Sequence, residues 1–375
     1  MAHSDWPRSD VLDLLGIRLP IVQAPMAGAQ GSALAIAVSE AGGLGSLPCA
    51  LLNHDQVRAE YATIRAATSR PVNLNFFCHH RVGADDAKAA SEVWRRRLSG
   101  FYAELSIADD APVPTVDLTP FDAATCELVE ELRPDVVSFH FGLPDADLVA
   151  RVRKSGATVM SSATTVDEAG WLCDRGCDVV IAQGAEAGGH RAMFLDAEIT
   201  DVATQVGTMA LVPQIVDAVD VPVIAAGGIA DGRGIAAAFA LGASGVQIGT
   251  AFLFTPEAST SPLHGAALRS PEAARTALTN VLTGRPARSI ETRLMRELGH
   301  LSPDAPPFPG ASGALVPLRA TAEQNGDTSF TSLWSGQAAR LARELPAGEL
   351  TKLLADEAHQ CLLALRPSDD RVHGQ

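Results

Sequence analysis

"PVIAAGGIADGRGIAAAFALGASGVQIGTAF", residues 222–252, reads as strand, glycine pair, helix, strand. A short apolar run bounded by Pro222 and Gly227 precedes an Ala-rich helical stretch at 233–241, and a second apolar run, 245–252, follows at once. Strands joined by a helix in this way lie parallel, with a right-handed crossover. The same unit recurs upstream. Candidate strands fall at 19–26, 43–48, 72–78, 136–142, 157–163 and 179–184, and helical patterns at 32–40, 55–66, 147–154, 165–175 and 209–219 lie between them. Eight units ending near residue 255 predict an α/β fold, a (β/α)8 TIM barrel, rather than an open sheet.

Two places depart from a minimal barrel. The connection 79–120 is long and carries its own helical pattern at 85–105. Beyond residue 254 the strand rhythm stops, and helix-like stretches at 271–281, 290–298, 331–344 and 349–365 flank an irregular "SPDAPPFPG". The expected division is a barrel at 1–255 and a mainly helical second region at 256–375 that covers the barrel mouth.

Composition narrows the partners. The chain has 375 residues, 47% of them apolar and 19% charged, as in a globular enzyme. Its net charge of −15 argues against nucleic acid and anionic membrane surfaces. Residues 1–10 lack a basic segment followed by an apolar core, and no run is long enough to span a membrane. The six cysteines are scattered without a C-x-x-C pair, which points to a reduced, cytoplasmic protein. Cys78-His79-His80 are loop neighbours with no second cluster, so no metal is expected.

In a barrel the active site lies at the carboxyl ends of the strands. Gln23 ends the first strand, Asn73 and Asn75 share one face of the third, and Gln183 ends the sixth before a glycine-rich turn with His190. One such amide alone is best explained by local backbone. Several converging on one mouth suit a planar heteroaromatic ring. Gly227-Gly228 after the seventh strand and Gly249-Thr250 in the eighth either make tight turns or let backbone N–H groups approach a phosphate, a recurrent use of this fold. A phosphate beside an amide-lined mouth fits flavin mononucleotide (FMN).

The fourth strand, "VVSFHFG", carries the candidate base. Period-two alternation places Val136, Ser138, His140 and Gly142 on one face and Val137, Phe139 and Phe141 on the other. If the bulky face packs outward under the helices, His140 points into the barrel near its carboxyl end. A half-buried imidazole beside a ligand can act as general base. His190, on a glycine-rich loop, reads as a ligand contact or loop anchor.

The chain resembles the nitronate monooxygenase family. The resemblance rests on "PIVQAPMAG", "GGLGSLP", "NLNFFCH", "VSFHFG", "CDVVIAQGAEAGGHR", the opening stretch, "TGRPAR" and "LWSGQAA", in the family's order from about residue 19 to 340. It implies an FMN-dependent enzyme that oxidises alkyl nitronates with O2 to a carbonyl compound and nitrite, without NAD(P)H. Flavin contacts are implied at Ala24-Pro25-Met26, Asn75, Gln183, Gly188, Gly189, Gly227, Gly228, Gln247, Ile248, Gly249 and Thr250. The family's catalytic histidine falls on His140, where it would take the α-proton of a neutral nitroalkane. Tyr102, His190 and Phe308 are implied at the substrate pocket.

The chain also departs from the family pattern. It has only two tyrosines, Tyr61 and Tyr102, where one subgroup of the family lines the entrance with several. "FPGASGALVPL" places Phe308 where a Tyr is expected and Ser312 near a second, with no Lys before Arg319. Three rivals stay open: an FMN-dependent NAD(P)H reductase of quinone or enoyl type, a purine-nucleotide oxidoreductase barrel, and a flavin-binding relative with altered catalysis. The second needs a nucleophilic Cys on a mobile loop, for which no cysteine here is convincing.

Overall fold

The computed structural model describes residues 6–108, 110–116, 118–195 and 201–365. The first half of the segment read above for a leader therefore lies outside the described residues. Eight parallel strands form a barrel: β1 (Ile21–Gln23), β2 (Gly45–Pro48), β3 (Val72–Phe77), β4 (Val136–His140), β5 (Thr158–Ala163), β6 (Val179–Gln183), β8 (Val223–Ala226) and β9 (Gly245–Ile248). β7 (Gly189–His190) belongs to a second sheet. The barrel order is β1-β9-β8-β6-β5-β4-β3-β2, and a parallel bridge between Val22 and Leu44 brings the ends together.

The strands are short and buried on both faces, β6 along its whole length, which is why they read as unbroken apolar runs. Between them the helices carry local start signals. Asn53 and Gln56 form a reciprocal capping box on His54–Ala67, and Thr165 caps Val166–Asp174. Phe139, fully buried under this ring with Phe121 against it, is the kind of side chain whose truncation costs about 3–5 kcal/mol.

The late region differs from expectation in three ways. The stretch 271–281 is not a helix: a short 3-10 turn, Pro271–Ala274, leads into β10 (Thr276–Thr279), which pairs antiparallel with β11 (Ala287–Ile290). β11 also pairs with β7, so this small sheet stitches the loop after β6 to the late region. The stretch 331–344 is largely irregular, held by a bridge between Ser289 and Trp334, with one 3-10 turn at Ala339–Leu341. Helices at Pro262–Arg269 and Ala311–Gln324 form instead.

Packing also runs across residue 255. Ala347–Ala364 packs between helices Ser32–Ala41 and Gly232–Ala240, and its Leu350, Leu354, Ala355 and Ala358 sit in the barrel core. It closes the helical ring at the end of the chain, so 256–346 is an insertion between the last strand and the last helix. That insertion shares a second core with the long connection after β3: Trp94, Leu98 and Tyr102 meet Leu282, Leu315 and Phe330. No helix among the described residues is long and apolar enough to cross a membrane.

Candidate active site

A cavity of about 680 Å³ opens at the carboxyl ends of the barrel strands. Ala24, Pro25, Met26, Asn75, His140, Gln183, Gly188, Gly189, His190, Gly227, Gly228, Gln247, Gly249, Thr250 and Phe308 all line it. Two of the contacts implied by the resemblance do not. Ile248 is buried in β9, where its carbonyl accepts from Ala24 N at 2.8 Å. Tyr102 is fully buried in the second core; its hydroxyl donates to Ala314 O at 2.6 Å and Arg95 lies over its ring. Neither tyrosine of the chain lines the cavity, since Tyr61 sits in the barrel core.

The glycine end of the cavity is built for close approach. Gly227 and Gly228 have φ of 113° and 71°, successive left-handed positions that strain any other residue. The helix that follows does not add a free dipole: Asp231 accepts from Arg233 N at 3.0 Å and Gly234 N at 3.1 Å, so its carboxylate already occupies that end. A 3-10 turn, Thr250–Phe254, starts at the wall instead. Gly188 has a different reason to be glycine. A Cβ there would stand 2.4 Å from Gly336 N, where the late segment crosses the loop.

The amides divide. Gln23 and Asn73 sit inside the barrel, away from the cavity lining: Gln23 is fully buried against Gln30 and Ser46, while Asn73 donates to Ser46 Oγ at 3.0 Å and Ser138 Oγ at 2.8 Å and leaves its Oδ1 without a partner among the described residues. Asn75 reaches the cavity while donating to Ser138 Oγ at 2.9 Å. Gln247 is the informative one. Its Oε1 is buried with no hydrogen-bond partner among the described residues, and unlike Asn73 it stands in the wall of the cavity. Leaving such a group unpaired costs about 1–3 kcal/mol, so the site is built to receive a donor.

His140 ends β4, level with Phe77 of β3, and faces the cavity as the alternation predicts. Its Nε2 lies 3.2 Å from the carbonyl oxygen of His190. A carbonyl only accepts, so Nε2 carries the hydrogen and Nδ1 holds the free lone pair. Burial holds the imidazole down to about 4, helped by the charges of Arg285 and Arg191, and it is neutral at physiological pH. His190 is pushed to about 3 by burial and by His140, and its Nε2 lies 2.9 Å from Thr283 Oγ1.

Phe141 does not pack outward as the alternation predicts. The strand stops at His140, and Phe141 turns to φ 71°, bringing its ring against those of His140, Phe77 and His190. Arg285 lies 4.1 Å over it. Phe308 completes this apolar hood, packing edge-on to Phe77 and His190. Trp334, His264, Arg319 and Glu323 also line the cavity and were not singled out in the sequence. Of these only Trp334 had a local signal, the "LWSGQAA" stretch.

Comparison with known proteins fits this geometry. The family described as nitronate monooxygenase matches residues 8–357. A nitronate monooxygenase of Pseudomonas aeruginosa is 42% identical over 348 residues, covering 92% of this chain and 97% of that protein. One from Paraburkholderia phytofirmans is 42% identical over 360 residues, covering 95% and 96%. Among solved structures, a nitroalkane oxidase from Streptomyces ansochromogenes superposes with a TM-score of 0.86 at 41% identity, covering 96% of this chain and all of that one. FabK from Thermotoga maritima follows with a TM-score of 0.68 at 28% identity, covering 95% and 97%. With a barrel whose mouth holds a neutral histidine, an orphaned amide acceptor and a paired-glycine turn, and with matches along nearly its whole length, the chain belongs to the nitronate monooxygenase family.

Proposed function

We propose that this protein binds FMN and oxidises alkyl nitronates with O2 to a carbonyl compound and nitrite, without NAD(P)H, as a cytoplasmic enzyme. The observation that carries the reading is the free Nδ1 of a neutral His140 in the same cavity as the unpaired acceptor of Gln247 and the Gly227-Gly228 turn. FMN fits those residues. Its ring offers an N–H for Gln247 Oε1, and its phosphate suits the backbone at Gly227, Gly228, Gly249 and Thr250. Ala24-Pro25-Met26, Asn75, Gln183, Gly188 and Gly189 would line the remainder, with His190 and Phe308 on the substrate side. Bound FMN would supply the electron acceptor for the nitronate.

The protein's own groups do the rest. With a neutral nitroalkane, Nδ1 of His140 takes the α-proton while Nε2–H stays on the His190 carbonyl, which keeps the ring aimed. The hood of Phe77, Phe141 and Phe308 excludes water from the reacting carbon. Arg285 and Arg191, whose charges reach His140, favour an anion beside it. A nitronate arrives deprotonated and needs His140 only for placement. All six cysteines are free thiols, in keeping with a reducing compartment.

Anaerobic mixing tests the proposal. The purified protein should show an oxidised-flavin spectrum that bleaches with ethyl nitronate, and under O2 nitrite should appear. The likeness to FabK gives weight to an NAD(P)H-dependent reductase as the second reading. Bleaching by NADH with none by the nitronate would establish it in place of the first.

A further inference from the structure

Arg191 has no exposed surface, and among the described residues its guanidinium forms no ion pair. Its partners are neutral. Nε donates to Gln205 Oε1 at 2.7 Å. Nη1 donates to Gln183 O at 2.8 Å, to Gly184 O at 2.7 Å and to Gln183 Oε1 at 3.1 Å. The charges of Glu168 and Glu186 favour the cation from a distance, but burial still works against it, and Nη2 has no hydrogen-bond partner among the described residues. Gln183 takes two of the three Nη1 contacts.

The Gln183 carboxamide has no freedom left. Two donors, Arg191 Nη1 and Ala192 N at 2.8 Å, converge on its Oε1, while Nε2 donates one hydrogen to His190 O at 2.9 Å. Turning the amide over would set its NH2 against two donors and its oxygen against a carbonyl. The second hydrogen of Nε2 is unspent, and Gln183 lines the cavity. Across the barrel floor Gln183, Ala226 and Gln247 stand in one register row on β6, β8 and β9, with the small Ala226 between the two amides. One flank of the slot thus offers a fixed N–H and the other an unpaired acceptor.

We propose that Arg191 is a positioning residue for the flavin: it locks Gln183 so that this wall presents a hydrogen-bond donor to an acceptor atom of the ring, opposite the acceptor of Gln247. The inference rests on FMN lying in this cavity, and it adds the polarity of the wall and the residue that sets it. The same His190 carbonyl receives Gln183 Nε2 and His140 Nε2, so the lock also bears on the base.

A double-mutant cycle read in the FMN dissociation constant separates this from a merely structural role. A lysine at 191 is a point charge that cannot fork to three acceptors, so the amide is released. Arg191→Lys should weaken FMN at least tenfold, yet less than threefold in a Gln183→Ala background. An equal loss in both backgrounds would overturn the proposal. Gln183→Glu leaves Arg191 with a carboxylate partner and turns the donor into an acceptor; it should weaken FMN at least tenfold even if Arg191→Lys cannot be purified, and unchanged affinity would overturn the proposal. Wild-type protein that takes up no FMN would instead defeat the proposed function. In that case selective 15N-glutamine labelling still decides the role of Arg191. The Gln183 amide pair, assigned by its loss in Gln183→Ala, should exchange slowly in the wild type and at least tenfold faster in Arg191→Lys. Identical exchange in the two would refute the lock.

Discussion

A buried base should make the reaction indifferent to mild acid. The folded His140 imidazole is held to about 4 by burial, against an ordinary value near 6.5. At pH 5.5 an ordinary imidazole would be roughly nine-tenths protonated and useless as a base, whereas one titrating near 4 stays almost wholly free. Between pH 7.5 and 5.5 the ordinary base would lose about tenfold in kcat/KM, and the buried one less than about 1.2-fold. The assay is the initial rate of nitrite release from freshly dissolved neutral nitroethane, measured before the carbon acid ionises in solution. His140→Ala is the companion measurement, with neutral nitroethane losing about 100-fold or more and ethyl nitronate staying within about threefold. A tenfold fall between pH 7.5 and 5.5 that disappears in His140→Ala would refute the claim that this base is desolvated. Equal rates on neutral nitroethane with and without the imidazole would refute its role altogether.

Other outcomes follow from single features. Gln247→Leu removes the buried acceptor that has no partner among the described residues, so FMN binding should weaken by about tenfold while the FMN-free protein melts no lower than the wild type. Tyr102→Phe deletes the hydroxyl that donates to Ala314 O; chemical denaturation should report a loss of about 1 kcal/mol with kcat unchanged, and a fall in kcat would return this residue to the site. His140, His190 and His264 are all held below the ordinary value by burial. The unfolded chain therefore takes up protons that the folded one refuses. Stability should be full above about pH 6.5 and fall as pH drops toward 4, by up to about 1.4 kcal/mol per pH unit for each histidine.

The barrel was legible because parallel strands covered on both faces leave unbroken apolar runs, and β6 and β8 are clear cases. His140 was legible from alternation alone, as a strand of period two has only two faces. Phe141 was misplaced by the same rule, which stops holding where the strand ends and φ turns positive. The second sheet left no local mark. "TALT" and "ARSI" become strands only by pairing with each other and with Gly189–His190, a contact spanning about a hundred residues. Gln23 shows the limit of reading polar residues at strand ends, since its partner Gln30 turns it into the barrel. Arg191 gave no signal beyond its place in "GGHR", because its partners Gln183, Gly184 and Gln205 meet it only in the folded chain.

The helix Ala347–Ala364 fills the gap between the helices Ser32–Ala41 and Gly232–Ala240 of the ring, and it follows every barrel strand in the chain. During synthesis every strand of the barrel, together with the glycine turns of the proposed FMN site, leaves the ribosome well before this seal. Until residues 347–364 emerge, the helices Ser32–Ala41 and Gly232–Ala240 lack the apolar cover that Leu350, Leu354, Ala355 and Ala358 provide. The nascent chain would thus spend the translation of some ninety residues with an open seam, a window in which a chaperone or early FMN capture could matter more than for a barrel that closes in order.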